Sequence, residues 1–99
     1  MAAPRYVANR DGNHKEITQA LEKIGCSVYD ASAVGGSFPD LVVGKHGITM
    51  LIEVKTPKGR LKEGQEKWHS EWKGHTCIVR SPMEAVEAVQ HHVKAHQSR

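Results

Sequence analysis

Two carboxylates and one lysine suggest the first chemistry in this sequence. Asp40 opens a short apolar segment, and Glu53 and Lys55 lie two residues apart at the end of a longer one. Side chains alternate along a strand, so Glu53 and Lys55 share a face, where burial is costly unless each charge meets a partner. Asp40 and Glu53 can lie side by side on adjacent strands, and Mg²⁺ or Mn²⁺ would relieve their repulsion. We therefore expect a divalent-metal site at which Lys55 places positive charge beside a phosphate.

Two polar residues on predicted helices can extend this site. Glu16 lies at the margin of the apolar stripe of the first helix, where a carboxylate can face a cleft. Gln65, Trp68 and Trp72 follow the i, i+3, i+7 spacing of one helix face. An amide on that face needs a hydrogen-bonding partner at the sheet, and Lys55 or a bound phosphate would serve.

A run of basic residues follows the carboxylate segment directly. Lys58, Arg60 and Lys62 lie in a loop broken by proline and glycine, and Arg10 and Lys15 can extend the same face near the first helix. Placed beside a metal site, such charges suit a phosphate backbone. These contacts would position a nucleic acid without reading its sequence.

Each of these features also has a plainer explanation. Asp40 can be a turn residue, and Glu53 and Lys55 can form an ion pair at the surface. Glu16 can be an ordinary boundary residue, Gln65 a solvated side chain, and the basic run a solvated face. On the residues alone, the two interpretations remain open.

The elements that must position these residues follow from hydrophobic periodicity and breaker residues. The pattern predicts helices at 13–24, at about 62–73 and from a capping box at Ser81, Pro82 and Glu84, and strands at 26–29, 41–43, 48–55 and 76–80. The order α-β-β-β-α-β-α predicts an α/β fold with a small mixed sheet flanked by helices.

Length and composition limit the protein class. The 99 residues, 38% hydrophobic and 25% charged, fit a single domain at 1–99 with its core at about 13–96, and they exclude a disordered or fibrous chain. We expect no membrane span, no organic cofactor and a cytoplasmic location, which for a viral protein would be the host cytoplasm. Two cysteines are too few for a disulfide scaffold, and a net charge of +3 permits a polyanionic partner.

The combined motif resembles a known nuclease family. The segments Phe38-Pro39-Asp40-Leu41 and Glu53-Val54-Lys55-Thr56-Pro57-Lys58-Gly59-Arg60-Leu61, followed by Gln65, are similar to the virus-type replication-repair nuclease (VRR-NUC) branch of the PD-(D/E)xK superfamily. The resemblance implies a restriction-endonuclease-like core.

The resemblance also implies a role for each matching residue. Asp40, Glu53 and the backbone carbonyl of Val54 would bind Mg²⁺ or Mn²⁺, and Glu16 would complete the acidic cluster directly or through water. Lys55 would be the catalytic lysine, and Gln65 would support that lysine and the phosphate.

The expected function is a metal-dependent, structure-selective DNA endonuclease. Stand-alone members of this branch form homodimers that cut branched DNA, which implies a resolvase of four-way (Holliday) junctions. The alternatives are a nuclease for flaps or duplex, a non-catalytic module that holds branched DNA through residues 58–62, and a metal-binding or interaction protein whose basic loop meets an acidic protein. Loss of cutting in EDTA favours an enzyme, and salt-dependent DNA affinity excludes the last alternative.

Overall fold

Three helices and four strands alternate within residues 13–97, the part of the chain that a computed structural model describes. In chain order they are α1 (His14–Lys23), β1 (Ser27–Asp30), β2 (Leu41–Lys45), β3 (Ile48–Val54), α2 (Glu63–Glu71), β4 (Thr76–Val79) and α3 (Pro82–Gln97). The predicted order of elements is confirmed. No helix in this part of the chain is long and apolar enough to cross a membrane.

The four strands form one mixed sheet in the order β1-β2-β3-β4. β1, β2 and β3 pair antiparallel, and β4 pairs parallel to β3. His46 and Gly47, with φ angles of 53° and 78°, make the tight turn between β2 and β3. Two consecutive positive φ angles are what a two-residue hairpin turn requires, so this short turn fixes the hairpin register.

The hydrophobic core lies between α1, α3 and one face of the sheet. The buried side chains that pack there from β3, α1 and α3 are Met50, Ile52, Val54, Ile17, Leu21, Ala85, Val89 and Val93. The alternation predicted for β3 holds, because Met50, Ile52 and Val54 all lie in the core. Packing on this face therefore fixes which residues of β3 point to the opposite side.

The opposite face of β3 is also buried. Leu51 is 7% exposed and Glu53 is 2% exposed, as expected for a central strand that is covered on both sides. α2 lies on this face, where Gln65 reaches Glu53, yet α2 contains no buried residue. α2 therefore positions polar and aromatic groups at the sheet without forming a second core.

The start of α3 differs in detail from the predicted capping box. The Ser81 hydroxyl accepts a hydrogen bond from the Glu84 backbone N–H at 3.1 Å, as in that motif. The Glu84 carboxylate, however, accepts from the N–H of Arg80 at 2.7 Å, one residue before the cap. β4 ends at Val79 rather than at the predicted Arg80, so Arg80 belongs to the link between β4 and α3.

Asn13 ties the start of α1 to the carboxyl ends of the two parallel strands. Its side-chain amide donates to the backbone carbonyls of Lys55 at 3.0 Å and Arg80 at 2.7 Å. Because Lys55 follows β3 and Arg80 follows β4, this one side chain sets the first turn of α1 beside the motif residues.

We predict that Asn13→Ala destabilises the fold. The substitution leaves two part-buried carbonyls without their donor, which costs about 1–3 kcal/mol of unfolding free energy. Urea denaturation measures this loss, and Gln19→Ala, at an exposed position of α1, is the matched control. Equal stability of the two variants would contradict the bridging role of Asn13.

Candidate active site

The hairpin register brings the two motif carboxylates together. Leu41 pairs with Ile52, so one further step along the antiparallel ladder places Asp40 opposite Glu53. The Asp40 carboxylate oxygen Oδ2 accepts a hydrogen bond from the Val54 backbone N–H at 3.0 Å. The side chain of Asp40 thus continues the ladder beyond the end of β2, which orients its carboxylate toward β3.

Glu53 is a buried carboxylate with one unpaired oxygen. Its Oε2 accepts a hydrogen bond from Gln65 Nε2 at 3.0 Å and lies 3.5 Å from Lys55 Nζ. Its Oε1 is buried and has no hydrogen-bond partner among the described residues. Burial, and then the negative charge of Asp40, raise the pKa of Glu53 to about 7, against the opposing effect of Lys55. A cation at Oε1 would satisfy the unpaired oxygen and offset both negative charges.

The backbone of Val54 faces the same point. The Lys55 N–H donates to the Val79 carbonyl of β4 at 3.0 Å. Because the N–H and C=O groups of successive strand residues point to alternate sides, those of Val54 point away from β4 and toward Asp40. The Val54 side chain is 2% exposed and remains in the core.

These residues fit a divalent cation. Asp40, Glu53 and the Val54 carbonyl present oxygen atoms, which are the ligands that Mg²⁺ and Mn²⁺ prefer. Within residues 13–97, no group of three His, Cys, Asp or Glu side chains is arranged to hold a metal ion. The donor set is therefore two carboxylates and a backbone carbonyl, which leaves room for water and phosphate oxygens.

Glu16 is not brought into this cluster. It lies exposed in the first turn of α1, one helical turn beyond Asn13. Among the described residues it does not form a three-carboxylate group with Asp40 and Glu53, and its expected role stays a prediction. A contact through water is the form that its position still allows.

Gln65 takes a partner other than those expected. Its amide donates to Glu53 instead of contacting Lys55. Its Oε1 accepts the Lys62 backbone N–H at 3.0 Å, at the start of α2. Both ends of the amide are thus fixed, so Gln65 holds Glu53 Oε2 in place and couples the start of α2 to β3.

The predicted basic residues lie outside the buried cluster. Lys15, Lys58, Arg60 and Lys62 are exposed, as phosphate contacts require. Arg10 lies outside the described residues. Three of the exposed residues, Lys58, Arg60 and Lys62, follow the site residues Glu53 and Lys55 directly in the chain.

Arg80 shapes the basic loop, a role the sequence analysis missed. Its guanidinium Nη2 donates to the Gly59 carbonyl at 3.0 Å, and the Gly59 N–H donates to the Thr56 carbonyl at 2.9 Å. A Cβ at position 59 would lie 3.0 Å from Thr56 Oγ1, so glycine keeps this turn tight. Arg80 is far from Gly59 in sequence, and no local pattern indicates the contact.

Comparisons with known proteins bear on the family and on the fold. The sequence pattern of the VRR-NUC domain family matches residues 7–90. A solved structure described as a VRR_NUC domain superposes with a TM-score of 0.66 and 23% sequence identity, covering 79% of this chain and 90% of that chain. No curated protein matches the sequence significantly. The superposition supports the fold, and the sequence match over most of the chain supports the family.

We predict that Glu53→Gln removes a pH dependence from the stability of the metal-free protein. A glutamate ionises near its ordinary pKa of 4.5 when unfolded, whereas the folded protein raises the pKa of Glu53 to about 7. The stability contributed by protonated Glu53 is complete below about pH 4.5 and is lost as pH rises through 7. At about 1.4 kcal/mol for each pKa unit, the loss is about 3 kcal/mol.

Urea denaturation in EDTA from pH 4 to pH 8 tests this prediction. The stability advantage of Glu53→Gln over the original protein should grow with pH, because all other titrating groups are common to both. Glu22→Gln, at an exposed position of α1, is the control. A difference that stays constant across the pH range would contradict the assignment.

Proposed function

The chain belongs to the VRR-NUC domain family, and from that membership we propose that it is a divalent-metal-dependent endonuclease that hydrolyses phosphodiester bonds in DNA. The family itself implies a nuclease-type domain with DNA as its partner. The observation that carries the proposal is the buried Glu53 carboxylate, unpaired at Oε1 and set beside Asp40 and Lys55. A cation bound at Oε1 would offset the cost of this arrangement.

The proposed ligands of Mg²⁺ or Mn²⁺ are Asp40, Glu53 and the Val54 carbonyl. When bound, the cation supplies positive charge that offsets the two carboxylates and draws electron density from the phosphate. Val54 N–H and Gln65 each hold one carboxylate oxygen by a hydrogen bond of 3.0 Å. The chain's own contribution is therefore a set of oxygen atoms fixed before any ligand arrives.

Lys55 supplies the charge that acts on the reacting phosphate. Its side chain is 14% exposed, and its Nζ lies 3.5 Å from Glu53 Oε2. An ammonium group has three donors, so Lys55 can keep its contact with Glu53 and still donate to a phosphate oxygen or to the attacking water. The water oxygen bonds to phosphorus, the bond to the 3′ oxygen breaks, and the proton released by the water ends on that leaving oxygen. The products are a 5′-phosphate and a 3′-hydroxyl.

The proposed biological substrate is a four-way junction cut by a homodimer. One site per chain cuts one strand, so symmetric cleavage of a junction needs two sites, which a twofold dimer supplies. Lys58, Arg60 and Lys62 are exposed in the loop that follows the site residues of β3, and their charges support binding of the phosphate backbone. The resemblance to stand-alone junction-cutting members of the family supports this choice of substrate.

We predict that Lys55→Met and Lys58→Ala separate cleavage from binding. Lys55→Met should reduce the cleavage rate by about a hundredfold or more, because a charge acting in the transition state is lost. It should leave DNA affinity nearly unchanged. Lys58→Ala, the matched control in the exposed loop, should weaken DNA binding. It should also reduce the slope of log affinity against log salt concentration by about one. The cleavage rate of bound DNA should stay the same.

The assay uses labelled four-way junction, flap, splayed-arm and duplex DNA with Mg²⁺, Mn²⁺ or EDTA. Paired nicks across the junction, lost in EDTA and in Lys55→Met, are the expected result. Cutting of flaps or duplex alone would keep the nuclease and reject the resolvase. Junction binding without cleavage in any metal would reject the enzyme in favour of a DNA-holding module.

A further inference from the structure

The two tryptophans of the chain, Trp68 and Trp72, form a stacked pair at the end of α2, here called the tryptophan pair. Their ring centroids lie 4.8 Å apart with an interplanar angle of 15°. Phe38, two residues before Asp40, contacts Trp68 edge-on at a centroid distance of 5.5 Å. Trp72 is 44% exposed. The pair is thus supported at the Phe38 end and open at the Trp72 end.

The orientation of the outer ring is held by the chain beyond α2. A Cβ at position 74 would lie 2.9 Å from Trp72 Nε1, so Gly74 allows the backbone to pass close to the edge of the indole. One ring face of Trp72 is covered by Trp68. The outer face is therefore the one that remains for a ligand, and the residue is 44% exposed.

The exposure of Trp72 is not required by packing within the fold. α2 contributes no buried residue, and neither tryptophan belongs to the core cluster. A flat indole that is stacked on a second ring is a ready surface on which another planar ring can stack. The folded chain gains little from leaving the outer face of Trp72 in water.

The tryptophan pair lies close to the proposed cleavage site. Gln65, which contacts Glu53, lies in the first turn of α2, and Trp72 is the residue that directly follows the helix, seven residues further on. At a helical rise of about 1.5 Å per residue, this separation is roughly 10 Å along the axis. It corresponds to about three nucleotide steps of stacked DNA, since one strand of B-DNA rises about 3.4 Å per nucleotide.

The basic loop that precedes α2 favours a nucleic acid as the occupant. Residues 55–62 contain four lysines and arginines and no acidic residue, whereas residues 63–73, which carry the pair, contain two lysines and three glutamates. Phosphates bound by the basic loop would lead toward the pair. A second copy of the chain is less suited, because a stable interface needs about 800 Å² per partner and one aromatic side chain buries at most about 250 Å².

We propose that the tryptophan pair is a stacking platform for an unpaired base of the DNA, within about three nucleotides of the cleaved bond. Bases inside a duplex have both faces covered, whereas a base at a branch point, a single strand or an end exposes one. Stacking on Trp72 would therefore select DNA by structure and not by sequence. This inference rests on the proposed function, since it assigns a substrate feature to the same site.

The binding test needs no cleavage. Trp68 and Trp72 are the chain's two tryptophans, so tryptophan fluorescence reports on the pair directly. A ten-nucleotide oligothymidylate titrated in EDTA should quench the fluorescence of the full chain. Trp72→Ala should weaken its affinity by roughly five- to a hundredfold, the range found for loss of one stacked base, and Trp72→Phe should retain most of it. Met83→Ala, which removes another exposed apolar side chain at 70% exposure, is the control.

A base-deletion cycle makes the assignment specific. A series of oligonucleotides carries one abasic site, placed at a different position in each. At one position, removing the base should weaken binding to the original protein but not to Trp72→Ala. The two changes are then not additive, because each removes the same contact. Unchanged affinity in Trp72→Ala, or equal abasic losses in both proteins, would overturn the proposal. A change of sedimentation in Trp72→Ala with DNA affinity retained would instead make the pair a contact between copies.

The two proposals can fail separately. The fluorescence titration is independent of cleavage, so a chain that stacks bases but cuts nothing would keep the platform and reject the nuclease. A chain that cuts junctions in a metal-dependent way, with no loss of DNA affinity in Trp72→Ala, would keep the nuclease and reject the platform.

Discussion

The structure around the site depends on one electrostatic constraint, the burial of Glu53 beside a second carboxylate. A carboxylate removed from water stays ionised only if its charge is compensated, and Glu53 is 2% exposed with Oε1 unpaired and Asp40 beside it. The positive charge of Lys55 offsets only part of this cost, because the pKa of Glu53 is still raised to about 7. Either a proton or a cation must therefore bind at Oε1 of Glu53, and a divalent cation there would offset the charges of Glu53 and Asp40 together.

The rest of the fold serves to impose this arrangement. The tight turn at His46 and Gly47 sets the hairpin register, and that register places Asp40 opposite Glu53. Core packing of the alternate residues of β3 forces Glu53 to the other face. Asn13 joins α1 to the ends of β3 and β4, and Gln65 joins α2 to β3, so two helices and two strands converge where the charges lie. Stability of the core is therefore coupled to an unfavourable local electrostatic arrangement, as is common at functional sites.

Much of this arrangement could be predicted from local sequence. Alternation in residues 48–54 identified the faces of β3, and the carboxylates and Lys55 followed from their types and spacing. Contacts between residues distant in sequence were not predictable: the amide of Gln65 on Glu53, Asn13 on two strand ends and Arg80 on the basic loop. Periodicity assigns a side chain to a face, but the helix–sheet distance decides which partner it reaches. For the same reason Glu16 could be placed beside the cleft but not in the cluster.

The measurement that tests the central claim most directly is calorimetric titration of Mn²⁺ into the DNA-free protein. The account predicts one binding event that Asp40→Asn and Glu53→Gln each weaken by about tenfold or more. Glu16→Gln should have a smaller effect, and Glu22→Gln, on the exposed side of α1, should have none. Circular dichroism of each variant confirms that the fold is retained. Absence of Mn²⁺ binding, or binding that survives both carboxylate substitutions in folded protein, would contradict the account.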